Sequence, residues 1–372
     1  MSTYSNPNNK YTIEVTPTQA CNFNCTYCFE HGTNLKENIL QKNMDLVISQ
    51  IENIFNDPWF DKSFENKNIS LWGGEPSLDI SFIEKVVSHF LYDKDVTFFI
   101  YTNGSRIKEL MPILLKCKDV EAIDEKFKVQ ISYDGKYLQN LKRKLAFKSK
   151  KTSSDIVLEG IELLHKNEID FGLKSTITYE DFNQLEGMWN EFLYLYDNFN
   201  TRLSLTVDYH KIEFLKYKEM IEQNLIQVAK KEIEFYRKHG IFLSNIFSGK
   251  RMFCGCGKGM TAINTDGKLY YCHGCFYSDK IPEVGTIFDS DVPDKIKKNY
   301  NYFYNIQKPN DECSRCVALT CLKCNVKKYE NSNESLFYDR WHDYTNQPEL
   351  CEYYKMCGRI GRAILNIIEE EK

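Results

Sequence analysis

The chain has 372 residues, with 48 Lys+Arg against 52 Asp+Glu and a formal net charge of −4. That length suits one large domain plus an appendage, and the near balance of charge argues against a dedicated nucleic-acid binder. Hydrophobic residues at 42% and aromatics at 14% supply enough apolar surface for a packed core, which excludes global disorder.

The opening MSTYSNPNNK is polar, so no secretory signal is expected. No run approaches the roughly 18–20 apolar residues of a membrane-spanning helix. The expectation is a cytoplasmic protein with no membrane partner. Residues 11–16 alternate apolar and polar and predict a short strand. A helical spacing follows over 36–55, carried by Ile39, Leu46, Ile48, Ile51, Ile54 and Phe55. Strands are predicted at 67–72, 96–101, 127–133, 171–177 and 202–207. Helices are predicted at 82–91, 106–117, 154–166 and 182–196, with a longer one ending near 236; Ser153 or Ser154 is the expected N-cap of the third. Strands linked by helices imply parallel pairing and an α/β layer or barrel. Ligands of such folds bind at the carboxyl ends of the strands. From about 241 the alternation stops. The expected division is a polar tail (1–10), an α/β core (11–240) and a Cys-rich domain with a C-terminal helix (241–372).

The chain has 14 cysteines. In a long chain without a signal, tight groups of cysteine point to metal rather than disulfides. The first group is Cys21-Asn-Phe-Asn-Cys25-Thr-Tyr-Cys28, directly after the first strand. Thiolates hold iron–sulfur clusters, and three ligands would leave one iron of a four-iron cubane open to a small chelating molecule. The alternative is a buried or zinc-binding trio. Trp72-Gly73-Gly74-Glu75-Pro76 ends the second strand, where glycines allow close backbone approach. Cys117, within a helix, reads as an inert core thiol.

CNFNCTYC, GGEP at 73–76, TNG at 102–104 and ISYDG at 131–135 together resemble the radical S-adenosylmethionine (SAM) enzymes. The resemblance covers roughly 11–240 and implies a partial (β/α)6 barrel. It also implies a [4Fe–4S] cluster on Cys21, Cys25 and Cys28, with SAM on the open iron. Gly73, Gly74 and Glu75 would hold the methionine amino group, Tyr27 would lie near the adenine, Ser132 would contact the cofactor, and Arg143 would hold its carboxylate. The bland reading of Arg143 is a solvated basic loop within KRKLAFKSKK at 142–151.

The C-terminal cysteines, Cys254, Cys256, Cys272 and Cys275, then Cys313, Cys316, Cys321 and Cys324, then Cys351 and Cys357, resemble a SPASM domain with two auxiliary [4Fe–4S] clusters. The spacing of the run of four is x2, x4, x2 rather than the commoner x2, x5, x3. The resemblance places Cys254, Cys272 and Cys324 on the inner cluster, with Cys256 or Cys275 as a fourth ligand. Cys313, Cys316, Cys321 and Cys351 fall on the outer one. Two among Cys256, Cys275 and Cys357 are then spare, or one iron is open. A zinc ribbon is the competing reading, but only four residues separate the two Cys pairs of the run.

Sulfatase-maturing enzymes share this architecture but carry a catalytic Asp after the cysteine of G-x4-C. Here that residue is His273, expected to hydrogen-bond cluster sulfur. Tyr270-Tyr271-Cys272-His273, Val284-Gly285-Thr286-Ile287 and Leu350-Cys351-Glu-Tyr-Tyr look more like the ribosomal-peptide maturases. The expected activity is therefore installation of a thioether or carbon–carbon crosslink in a precursor peptide, with flavodoxin or ferredoxin as electron donor and the auxiliary clusters accepting an electron or binding a thiolate. Formylglycine formation, an electron-transfer protein and a zinc protein are the rivals. Only ten residues precede the first strand, so leader recognition is expected to use the barrel, the basic stretch or a separate protein.

Overall fold

The computed structural model of the chain describes residues 9–28, 30, 37–120, 126–207, 213–247, 255–276, 281–306, 316–318, 321 and 348–371. In chain order the strands are β1 (Lys10–Val15), β2 (Phe23–Cys25), β3 (Asn66–Leu71), β4 (Val96–Thr102), β5 (Phe127–Ser132), β6 (Arg143–Leu145), β7 (Phe171–Ile177), β8 (Leu203–Val207), β9 (Met260–Ile263), β10 (Lys268–Tyr270) and β11 (Gly285–Thr286). Nine form one sheet in the order β11-β10-β9-β1-β3-β4-β5-β7-β8. Every pairing from β9 to β8 is parallel, and β9, β10 and β11 pair antiparallel. β2 and β6 form a separate antiparallel ribbon.

The six strands read from the sequence are all present. In β4 and β7 every second side chain is buried, which is the period-2 consequence of a pleated strand with one face packed on helices. The helices supply matching apolar stripes. Met44–Asn56 buries Val47, Ile48, Ile51, Ile54 and Phe55, and Ile80–Phe90 buries Phe82, Ile83, Val86, Val87 and Phe90. The other face of the sheet carries Glu14, Ser70, Tyr101, Gln130 and Lys174, a polar lining of the kind a partial barrel encloses.

Three details differ from expectation. The helix anticipated over 36–55 is split into Ile39–Lys42 and Met44–Asn56. The cap of Ser153–Lys166 is Thr152, whose side chain accepts from Asp155 N while Asp155 reciprocates, a capping box. The sheet also does not end near residue 240. Thr12–Val15 pair in parallel with Met260–Ile263, so the Cys-rich segment extends the core sheet from its first strand. The C-terminal helix Pro348–Glu370 returns to the core, where Tyr353 meets Tyr179, Phe182 and Phe214 edge-on.

Candidate active site

The cysteine loop leaves the carboxyl end of β1 and is gripped by the loop that leaves β3. Gly74 N donates to Thr18 O (3.1 Å) and Glu75 N to Ala20 O (2.8 Å). Gly73 has φ +139°, and a Cβ there would stand 2.4 Å from Thr18 O. A Cβ on Gly74 would stand 2.3 Å from Ala20 O. Both glycines are thus required for two backbones to touch, and the backbone they admit is that of the cysteine loop.

Glu75 is fully buried, which raises its pKa. Its carboxylate accepts from Ser77 N (3.1 Å), Ser77 Oγ (2.5 Å), Thr102 Oγ1 (2.7 Å) and Asn103 N (2.6 Å). Asn103 Nδ2 donates to Asn22 Oδ1 (2.8 Å) and lies 3.9 Å from Cys21 Sγ. GGEP, TNG and the cysteine loop therefore form one hydrogen-bonded rim.

The other side of the loop is held by Arg143. Cys25 on β2 sits opposite Arg143 on β6. Arg143 is 8% exposed, so the solvated-loop reading is wrong. Its Nε donates to Asp134 Oδ2 (3.0 Å), its Nη1 lies 3.5 Å from Cys25 Sγ, and its guanidinium is 5.6 Å from the Tyr27 ring centre. Tyr27 Oη also donates to Asp134, whose second oxygen accepts from Thr176 N (2.9 Å). Burial pushes the Cys25 thiol up, and the nearby guanidinium opposes that shift. Ser132 closes β5 opposite Lys174. The neighbouring Lys142 bonds Thr178, Glu180 and Asp181, so the basic stretch begins inside the fold.

A second thiol group stands at the other end of these strands: Cys256 precedes β9, and Cys272 follows the antiparallel β10, near the amino-terminal half of β1. The sulfurs of Cys256, Cys272 and Cys275 all lie within 4.8 Å of one another. His273 N and Nδ1 both point at Glu14 Oε2, at 3.1 and 2.7 Å, and the His273 ring stacks on Trp72 with centres 4.1 Å apart. Burial works against the imidazolium, but the Glu14 carboxylate outweighs it and pushes the pKa up to about 9. The partner of His273 is thus a carboxylate of β1, where sequence suggested cluster sulfur. Cys316, Cys321 and Cys351 are described and partly buried. Cys254, Cys313 and Cys324 lie outside the described residues. Cys117 is a core thiol, 2% exposed.

The motifs CNFNCTYC, TNG and ISYDG contain Asn22, Asn103 and Asp134 without assigning them a task, and Glu14 lies outside every motif. An acid nine positions before Arg143 and followed by a glycine turn was a usable signal. Glu14 had none, because its partner is 259 residues away.

Three thiols from eight residues at a strand-end rim fit an iron–sulfur cluster with one position left over. The radical SAM superfamily pattern matches residues 15–183. The chain carries a radical SAM domain. A cysteine-type anaerobic sulfatase-maturating enzyme of Clostridium perfringens is 25% identical over 360 residues, covering 86% of this chain and 90% of that one. The solved structure of native anSMEcpe with bound AdoMet and Cp18Cys peptide has the same fold: TM-score 0.71, 19% identity, 97% of this chain and 99% of that one. The solved structure of Streptococcus suis SuiB bound to precursor peptide SuiA matches at TM-score 0.55 and 16% identity, over 89% and 75%. This radical SAM enzyme uses a [4Fe–4S] cluster and SAM, and its C-terminal thiol group is consistent with a SPASM-type domain holding auxiliary clusters. No helix among the described residues is long and apolar enough to cross a membrane.

Proposed function

We propose that this radical SAM enzyme modifies a ribosomally made precursor peptide, installing a thioether or carbon–carbon crosslink. The observation that carries the reading is the connection of both thiol groups to β1. The Cys21–Cys28 loop and the Cys256, Cys272 and Cys275 thiols are both anchored at β1, one through its carboxyl end and the other through Glu14. A substrate on the polar inner face of the sheet, where Glu14 and His273 meet, would lie between them.

When bound, the first cluster with SAM supplies a 5′-deoxyadenosyl radical able to take hydrogen from unactivated carbon. The chain's own residues do the rest. Cys21, Cys25 and Cys28 would hold the cluster, and Cys256, Cys272, Cys275, Cys313, Cys316, Cys321, Cys324 and Cys351, with Cys254, are the candidate auxiliary ligands. Gly73, Gly74 and Glu75 fix the path of the loop on which the methionine end of the cofactor would rest, Tyr27 would flank the adenine, and Ser132 would meet the cofactor from β5. The guanidinium of Arg143, paired with Asp134 and close to Cys25, puts positive charge beside thiolates and beside a carboxylate. Flavodoxin or ferredoxin would deliver the electron.

Formylglycine formation on a sulfatase peptide is the second reading, favoured by the likeness to the Clostridium perfringens enzyme along nearly its whole length. Against it stands His273, already engaged with Glu14, where that class carries an aspartate. The reconstituted enzyme is to be incubated anaerobically with dithionite, SAM and either a Ser- or Cys-containing sulfatase peptide or short peptides encoded beside its gene. Loss of two hydrogens from a neighbouring peptide supports the crosslinking reading. An aldehyde on the sulfatase peptide with no change in the others overturns it. Alanine at Cys21, Cys25 or Cys28 is expected to abolish 5′-deoxyadenosine formation.

A further inference from the structure

Two cations beside the polar face of the sheet already have their carboxylates: Arg143 is paired with Asp134, and His273 with Glu14. Lys174, on the inner face of β7, forms no ion pair among the described residues. Ser132 of β5 and Ser204 of β8 sit level with it on either side. Its Nζ donates to the neutral hydroxyl of Thr206, which stands level with Thr176, two residues further along. The ammonium therefore leans toward the carboxyl ends of the strands, the end from which the cysteine loop leaves β1. Asp134 is the carboxylate whose charge acts on it. Both Asp134 oxygens are occupied, one by Thr176 N and the other by Arg143 and Tyr27. Burial pushes the Lys174 pKa down to about 8, and Asp134 opposes this only in part. An ammonium withdrawn from water and given a hydroxyl alone is costly, and an opposite charge offsets that cost. A residue that merely filled this space would need no charge. Arg143 is the cation assigned to the carboxylate of the cofactor, so the carboxylate left for Lys174 is one that the substrate brings.

We propose that Lys174 binds a carboxylate of the substrate peptide, so that the preferred substrate carries an Asp or Glu side chain, or its own C-terminus, close to the residue that is modified. A charge-assisted hydrogen bond to Nζ would fix the peptide on the inner face of the sheet. The matching amide would leave the ammonium without a counter-charge and be rejected. This inference rests on the reading that a peptide occupies that face, but not on which bond is formed there.

The full-length protein, reconstituted anaerobically, is compared with Lys174→Met and Lys174→Arg. Methionine keeps an unbranched stem without the charge, and iron and sulfide content shows that all three are equally loaded. The probes are SAM and fluorescein-labelled peptides, namely those encoded beside the gene and the Cys-containing sulfatase peptide. Each peptide is made with its acids and again with Asn, Gln and an amidated C-terminus in their place. Binding is read by equilibrium dialysis for SAM and by fluorescence anisotropy for peptides. Lys174→Met is expected to weaken peptide binding about tenfold or more, and Lys174→Arg to weaken it less. The amide form should bind the parent as weakly as it binds Lys174→Met, and SAM should bind all three proteins alike. Equal peptide affinity in the parent and Lys174→Met overturns the proposal. So does equal binding of acid and amide forms to the parent, a loss confined to SAM, or failure of every peptide to bind. A peptide that binds through Lys174 and leaves without a crosslink supports this inference and overturns the crosslinking reading.

Discussion

Glu14 and His273, 259 positions apart, meet at 2.7 Å between Oε2 and Nδ1, and the same oxygen accepts from the His273 backbone N–H. One buried carboxylate on β1 thereby orients the turn that carries Cys272 and Cys275. Glu14→Ala leaves the His273 backbone N–H and ring without their acceptor, a loss on the order of 1–3 kcal/mol. Glu14→Gln keeps an oxygen in place and should recover part of it. Anaerobic urea unfolding of the metal-loaded protein reads both. Equal midpoints for all three proteins would show that this contact contributes nothing.

Asp134 is the hub on the opposite side of the cysteine loop, taking hydrogen bonds from Arg143, Tyr27 and Thr176 N. Removing one partner of a buried ion pair strands the other charge, at a cost of about 3–5 kcal/mol. Asp134→Ala is therefore expected to destabilise by that order. Because Arg143 lies opposite Cys25 on the β2–β6 ribbon, the variant should also bind less iron at the first cluster. Asp134→Ala combined with Arg143→Met removes both charges and should regain stability. A double variant no more stable than the single one would remove the charge argument.

Four of the six parallel strands, β4, β5, β7 and β8, were legible because one face lies on helices and burial alternates with a period of two. β1 and β3 are instead buried at consecutive positions. β1 was legible from its alternating sequence, and β3 from the Gly73-Gly74 turn that bounds it. The cysteine loop and its glycine partner were legible as spacing. The β2–β6 ribbon was not, since three residues a side carry no periodicity and their pairing joins positions more than a hundred residues apart. Nor was β9, where Met260–Ile263 attaches to β1 by backbone hydrogen bonds that no side-chain pattern announces. Thr152 was readable in principle: Thr-x-x-Asp before an apolar run is a capping-box signature, and the two adjacent serines drew attention from it.

The close contact at Gly74 can be tested against a glycine that has room. A Cβ on Gly74 would lie 2.3 Å from Ala20 O and 2.4 Å from Gln19 O, backbone atoms that move only if the cysteine loop moves. Gly74→Ala is expected to lower iron bound at Cys21, Cys25 and Cys28 at least severalfold, by iron assay and electron paramagnetic resonance. Gly187, inside Leu185–Phe199, has nothing within 4 Å of a built Cβ. Gly187→Ala should keep the iron and gain about 1 kcal/mol from helix propensity. Full iron in Gly74→Ala would mean that the loop tolerates a displacement which the backbone contacts indicate it cannot.

Glu232 supplies a pH dependence from a helix that carries no cysteine. It lies fully buried on the helix Phe214–His239 and accepts from Leu243 N (2.6 Å) and Ser244 N (3.3 Å). Burial pushes its pKa up to about 7, and the two backbone donors only partly oppose this. A carboxyl raised on folding is bound by its proton more tightly in the native state. Its stabilising contribution is therefore complete below the unfolded value near 4.5 and is lost as pH rises through about 7. A shift of that size corresponds to roughly 3 kcal/mol. Glu232→Gln retains an acceptor for both N–H groups but carries no titrating proton. Urea midpoints measured at pH 5 and pH 8 should fall less in Glu232→Gln than in the parent, and other groups titrate equally in both. Parallel falls would place the pH dependence elsewhere in the chain.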